Sequence, residues 1–275
     1  GLLLLMPASE TVVAMVNRIT SELVRPAHLP RLEFFDGIPE AHRVLVVIPA
    51  LLGAPHSNER LVHRLLLHYL ANPEPRAQFA LLTDWGDANV ESLPADAPAL
   101  EAVCLAIRQL NRQYPCDREP RFIVLHRARQ FSETEQCWMG WERKRGKLEQ
   151  LVEAMAGNPK SAFVDLGPDS QLAPATPYIV TLDSDTQLPP GRLRALVSVA
   201  AHPANQPRLD PTRRFVQQGY GILQPRVVTP LPARSEFTLF HWLFAGQCGI
   251  DPYSAPTSEV YQDLFGEGTF TGKGL

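Results

Sequence analysis

Two aspartates separated by one residue, Asp183 and Asp185, directly follow the apolar run YIVTL. Carboxylates spaced in this way at the end of a strand can share a hard divalent cation, and that cation can hold a diphosphate. The opposing interpretation is a turn in which one carboxylate caps the next helix, which the Pro-Pro-Gly sequence at 189–191 would start. Because Asp-x-Asp also arises often by chance, its placement after a strand carries the argument.

Two further segments add charge suited to an anionic ligand. Asp84 follows the apolar run FALLT, and four cations occupy the five positions from Arg143 to Lys147. The ordinary interpretation of such a charge run is a solvated helix face. Cations at the start of a helix, however, oppose the helix dipole, so a bound phosphate would relieve that conflict.

The elements that must position these residues are strands alternating with helices. Short apolar runs predict strands at 44–48, 79–82, 122–125 and 178–182. Between them, helical stripes lie at 100–110 and 148–155, and Ser57 or Asn58 is the expected cap of a further helix; an earlier helix is expected from Ser9. This alternation predicts an α/β fold with a mostly parallel sheet, whose ligands bind at the carboxyl ends of the strands.

Composition bounds the function without naming it. The chain has 275 residues, a net charge of −3 and 45% hydrophobic residues, which is typical of a globular protein. The nearly neutral charge excludes a protein that coats nucleic acids without sequence specificity. Its four cysteines form no CxxC pair, which favours a reducing compartment and makes a zinc site improbable, so any metal must be held by carboxylates. No GxGxxG follows the first strand, and GEGTFTGKG departs from the phosphate-binding P-loop pattern.

The two ends of the sequence suggest a division at residue 44. Residues 1–43 hold an apolar end, an amphipathic helix and a connector, and residues 44–275 form the α/β domain. The run from Leu2 to Met6 is either a buried cluster or the last turn of a membrane-spanning helix. We expect the fold to be incomplete at its C-terminus, since the sequence stops in the glycine-rich segment 266–274. The aromatic stretch 237–244 is interpreted as core rather than as a carbohydrate platform.

The motifs together resemble a known family. The segments WMGWERKRGKLEQL, LDSDTQLPPGRL and YQDLFGEGTFTGKG are similar to those of cyclic β-1,2-glucan synthases, glycosyltransferase family 84, which are related to the processive GT-A synthases of family 2. The resemblance runs from about Pro7 to Leu275. It implies a GT-A-like, Rossmann-like domain of an inverting, UDP-glucose-dependent glucosyltransferase. It also implies a larger bacterial inner-membrane protein with this domain on the cytoplasmic side and a growing glucan as its partner.

The same resemblance implies roles for single residues. Asp84 would contact the uracil or ribose, and Lys147, with Arg145 as a second candidate, would lie near the nucleotide. Asp183 and Asp185 would bind the diphosphate, and of the two Asp185 is expected to be the direct ligand of Mg²⁺ or Mn²⁺. The acceptor sugar would face Glu267, Gly268 and Thr269 in the glycine-rich loop. The catalytic base is expected beyond Leu275, with Glu267 as the fallback.

Two alternatives stay open at this point. In the first alternative, the chain is a non-catalytic GT-A-like module that serves only for assembly or for binding a nucleotide sugar. A sugar nucleotidylyltransferase is disfavoured because no glycine-rich loop follows the first strand.

Overall fold

The computed structural model describes residues 28–157, 162–212 and 215–225, together with Ala8, Ser9, Val12, Thr238 and Gly274. Contacts divide the chain into a unit of Pro30–Leu223 with Lys273–Leu275 and a second unit of Gly1–Leu29 with Gln224–Gly272. The second unit lies almost wholly outside the described residues, as do the aromatic stretch 237–244 and most of the helix predicted from Ser9. The domain boundary at residue 44 stays a prediction.

The core of the larger unit is a parallel sheet of four strands. These are β1 (Val44–Leu52), β2 (Ala77–Trp85), β3 (Phe122–Arg127) and β6 (Tyr178–Thr181), in the order β3-β2-β1-β6. The strands are nearly continuous apolar runs, which is the pattern of strands covered on both faces. The predicted α/β class, with a mostly parallel sheet flanked by helices, is confirmed.

Side-chain alternation along the strands fills two apolar layers, one on each face of the sheet. One layer, with Val46 and Phe79 at its centre, packs against α1 (Pro55–Ala71), α2 (Asp96–Gln113) and α4 (Arg192–Ala200). The other layer, with Val47 and Leu82, packs against α3 (Arg143–Met155) through Leu151. Helix α3 therefore stands alone on its face among the described helices, directly above the strands.

Strand β1 extends further than its neighbour β6, so the carboxyl edge of the sheet has a step between them. Register pairing between β1 and β6 ends at Val47 and Thr181, whereas pairing between β1 and β2 continues to Leu52 and Trp85. Pro49, which has no N–H to donate, is tolerated in the middle of β1 because β6 has already ended there. The order of the strands reverses between β1 and β6, which makes this step the topological switch point of the sheet.

Some predicted boundaries change in the structure. Helix α1 begins at Pro55, so the predicted cap at Ser57 or Asn58 is wrong; the Asn58 side chain instead exchanges two hydrogen bonds with the backbone of Gly53. Two short antiparallel pairs were not predicted: β4 (Gln130–Ser132) with β5 (Cys137–Met139), and β7 (Arg208–Leu209) with β8 (Val216–Gln218). No helix in the described part of the chain combines the length and the hydropathy required to cross a bilayer.

Candidate functional site at the carboxyl edge of the sheet

Asp84 lies inside β2 rather than after it, and its carboxylate is fully engaged. Its Oδ1 accepts from Nε of Arg127 at 2.7 Å, and its Oδ2 accepts from Nη2 of Arg127 at 2.9 Å. Nζ of Lys147 lies 2.9 Å from the same Oδ2. With 1% of Asp84, 3% of Arg127 and 3% of Lys147 exposed, the three charges form a buried cluster.

Lys147 joins this cluster to the first strand. Its Nζ also donates to the backbone carbonyl of Ala50, near the carboxyl end of β1, at 2.8 Å. Burial lowers the pKa of Lys147 below its ordinary value, although the charge and hydrogen bond of Asp84 act in the opposite direction. The basic run is therefore more than a solvated helix face: one of its lysines is buried under the switch point.

Arg127 also fixes the backbone through which the chain enters α3. Its Nη2 donates to the carbonyls of Trp141 and Arg143 at 3.1 and 3.2 Å, and its Nη1 donates to Oε1 of Gln150 at 2.6 Å. Between those carbonyls, Glu142 and Arg143 have φ of 48° and 46°, a left-handed conformation that costs a non-glycine residue about 1–2 kcal/mol. The guanidinium thus holds a backbone turn that would not be favoured on its own.

Two glycines allow this close packing. A Cβ on Gly140 would lie 2.6 Å from Oδ2 of Asp84 and 3.1 Å from Nη2 of Arg127. A Cβ on Gly146 would overlap the carbonyl oxygen of Trp141. Gly140 therefore leaves room for the buried cluster, and Gly146 leaves room for the turn that leads into α3.

Lys144 places a second ammonium at the switch point. Its Nζ forms an ion pair with Oδ1 of Asp183. Asp183 directly follows Leu182, whose amide donates the last backbone hydrogen bond to β1, at the carbonyl of Val47. The pairs Lys147–Asp84 and Lys144–Asp183 relieve the conflict between the cations and the helix dipole by means of the protein's own carboxylates. Arg145, the second candidate for a nucleotide contact, is exposed and lies 3.8 Å from Glu142.

The two aspartates of Asp-x-Asp have different surroundings. Asp183 is partly buried, whereas Asp185 is exposed. The capping alternative is wrong, because α4 begins at Arg192 after Gly191 and receives no side-chain cap. Two carboxylates in a turn offer the type of oxygen ligand that Mg²⁺ and Mn²⁺ prefer, and Mg²⁺ is commonly held by one or two carboxylates and by substrate phosphates. In the described residues no third acidic, histidine or cysteine ligand joins them.

The glycine-rich loop touches this edge at one described point. The amide of Thr181 donates to the carbonyl of Gly274 at 2.6 Å, two residues before Asp183. The acceptor-loop residues Glu267, Gly268 and Thr269 themselves lie outside the described residues.

His126 was not predicted as a member of this region. It is buried beneath the site, with Nδ1 2.9 Å from Oγ1 of Thr83, and its Nε2 has no hydrogen-bond partner within the described ranges. Burial lowers its pKa to about 4, with the charges of Lys147 and Arg129 acting in the same direction. His126 and Arg127 end β3 as Asp84 nears the end of β2, so the rule of examining every strand end would have found both.

Fold and site together define an α/β protein with a Rossmann-like sheet, whose carboxyl edge carries two lysines and three carboxylates. No protein-family model matches the chain. Over 275 residues the chain is 43% identical to "Cyclic beta-(1,2)-glucan synthase NdvB" of Rhizobium meliloti (strain 1021). This match takes in all of the chain and 10% of that relative. The chain is therefore a relative of a cyclic glucan synthase, as the motifs predicted.

Proposed function

We propose that the chain is the donor-binding part of an inverting glucosyltransferase that uses UDP-glucose to make β-1,2-glucan. The similarity to a cyclic glucan synthase over the whole chain carries this proposal. Charged groups at the switch point of a Rossmann-like sheet support it, because that crevice is where such sheets bind nucleotides. As the chain spans 10% of the relative's length, we propose that it works within a larger protein of the bacterial inner membrane, on its cytoplasmic side.

In this proposal each group at the edge has one task. Asp183 and Asp185 hold Mg²⁺ or Mn²⁺, and Lys144 and Lys147 add positive charge for the diphosphate. The bound ion supplies positive charge that stabilises the departing UDP. A carboxylate base deprotonates the acceptor hydroxyl; Glu267, outside the described residues, is the candidate within this chain.

Calorimetric titration with UDP-glucose, with and without Mn²⁺, tests the proposal. Asp185→Ala is expected to weaken the metal-dependent binding at least about tenfold, since the loss of an outer-shell partner already costs this much and the ion here loses a direct ligand. Asp117→Ala is the matched control, because this exposed aspartate lies in the loop that leads into the opposite edge of the sheet. Unchanged binding in Asp185→Ala would remove the metal role, and no binding by the parent chain would favour the non-catalytic assembly module.

A further inference from the structure

The surroundings of Asp84 differ from those expected of a nucleoside contact. Both carboxylate oxygens accept from cations of the protein, Arg127 and Lys147. A carboxylate in this position acts on its protein neighbours. Its role must therefore be sought through Arg127 and Lys147.

The cluster holds one positive charge in excess. Asp84 offers one negative charge to two cations, and the charged groups that act on Lys147 are otherwise Arg127 and Lys144. A buried charge without a counterion is costly, so an anion close to Lys147 would stabilise this arrangement. Nζ of Lys147 has three N–H donors and makes two contacts, to Asp84 and Ala50, at the switch point.

Arg127 determines where that excess charge lies. Its guanidinium spans Asp84 on β2, the strained entry to α3 and Gln150, which lies about two turns into the helix. Lys144 and Lys147 both project from this first part of α3. A planar fork with fixed donor directions can hold such a junction, whereas an ammonium cannot reach all of its partners.

We propose that Arg127 and Asp84 are positioning residues, which hold the start of α3 so that Lys147 and Lys144 meet the diphosphate of the ligand. This inference rests on the proposed function for the identity of the ligand. It assigns Asp84 to the lysines and the diphosphate, and not to the uracil or ribose.

The test compares two ligands that share a diphosphate, UDP and inorganic pyrophosphate. Arg127→Lys keeps the charge and loses the fork, so both affinities are expected to fall by the same factor, about tenfold. Arg129→Lys is the matched control, because Arg129 is also buried, pairs with Asp96 and donates to two backbone carbonyls, without contact to either lysine. Its ligand affinities are expected to stay at the parent values even where its melting temperature falls as far.

Several results would overturn the inference. One is a folded Arg127→Lys chain that binds both ligands like the parent, and another is a loss for UDP alone, which would place the cluster at the nucleoside. A parent chain that does not bind pyrophosphate would also overturn it. Binding of pyrophosphate without UDP would instead refute the proposed function and keep the positioning role for another diphosphate.

A milder variant covers the case in which Arg127→Lys does not fold. Gln150→Ala leaves the ion pair with Asp84 intact and removes one hydrogen bond from Arg127. It is expected to weaken the binding of UDP and of pyrophosphate equally, about threefold, which is the lower end of what the loss of one hydrogen bond costs. If Arg127→Lys is unfolded, parent-like affinity for both ligands in Gln150→Ala overturns the proposal.

Discussion

Two buried arginines near the end of β3 make similar ion pairs and differ in their surroundings. Arg127 pairs with Asp84, and Arg129, two residues later, pairs with Asp96 and donates to the carbonyls of Gly86 and Glu91. The Arg129 guanidinium also lies 5.7 Å from the ring centroid of Trp85. Arg127 joins two strands of the sheet and the entry to α3, whereas Arg129 joins the loop after β3 to the start of α2 and to the loop after β2. Each pair therefore has a structural task.

The difference is the third charge. Lys147 joins the Arg127 pair and leaves it with positive charge in excess, whereas one carboxylate balances Arg129 in the other pair. A buried ion pair by itself is weak evidence for function, since its desolvation cost offsets much of the attraction. The excess charge at the switch point is the informative feature, because it is the one that a ligand can compensate.

The largest expected effect comes from removing each carboxylate charge. Asp84→Asn and Asp96→Asn each leave buried cations without a counterion, which costs about 3–5 kcal/mol of unfolding free energy. Asp84→Asn is expected to lose more, because two cations lose their partner. Urea unfolding at neutral pH measures both variants, with Asp117→Asn as the exposed control. An equal or larger loss in Asp96→Asn would show that the third charge does not matter.

The charges of Asp84, Lys147, Asp96 and Arg129 all act on His126, so the pH dependence of its protonation reports on the region between the two ion pairs. Its pKa is about 4 in the folded chain and ordinarily 6.5, so on acidification the unfolded chain takes up the proton first. The contribution of His126 to the free energy of unfolding is therefore complete above pH 6.5. It decreases by about 3 kcal/mol as the pH drops towards 4.

The measurement for His126 is the free energy of unfolding between pH 7 and pH 4. His126→Asn is expected to lose less stability over this range than the parent chain. His56→Asn is the control, because this histidine is exposed and makes its contact at the surface. If His126→Asn and the parent show the same pH dependence, the burial of a neutral imidazole is not what sets it.

The smallest expected effect comes from adding a methyl group beside each of the two ion pairs. Gly140→Ala puts a Cβ against Asp84 and Arg127, which should lower the free energy of unfolding by about 1–3 kcal/mol. It should also weaken the binding of pyrophosphate. Gly86→Ala is the counterpart near Arg129: nothing lies within 4 Å of its added Cβ, so its stability should change by less than about 0.5 kcal/mol. Thermal unfolding and titration check both, and a neutral Gly140→Ala would contradict the close packing.

Much of the fold follows from local sequence patterns. The valine-rich run at 44–48 and the apolar runs near residues 80 and 124 predicted strands because a strand covered on both faces needs apolar side chains at every position. The helix of the basic run was predicted from its apolar stripe. The cap of α1 and the β4–β5 pair were missed, because Asn58 bonds a glycine outside the helix and the hairpin is three residues long on each side.

The candidate site was predicted in its parts rather than in its connections. Asp84, Asp183 and Asp185 were singled out by charge and by position at strand ends, and the family resemblance singled out Lys147 within the basic run. Their partners were not, since contacts such as Arg127 to Asp84 join residues 43 positions apart. Such contacts depend on which strands are neighbours and in which register, and no local pattern encodes either.

The sequence by itself determined the α/β class, the acidic strand ends, the basic start of a helix and the resemblance to glucan synthases. Each of these depends on residue type and short spacing. The tertiary structure alone decided that Asp84 faces two buried cations, that Lys144 reaches Asp183, and that a step opens where β6 ends before β1. The physical reason is that strand order and side-chain burial arise from packing between distant segments, which fixes each charge's partners only once the chain has folded.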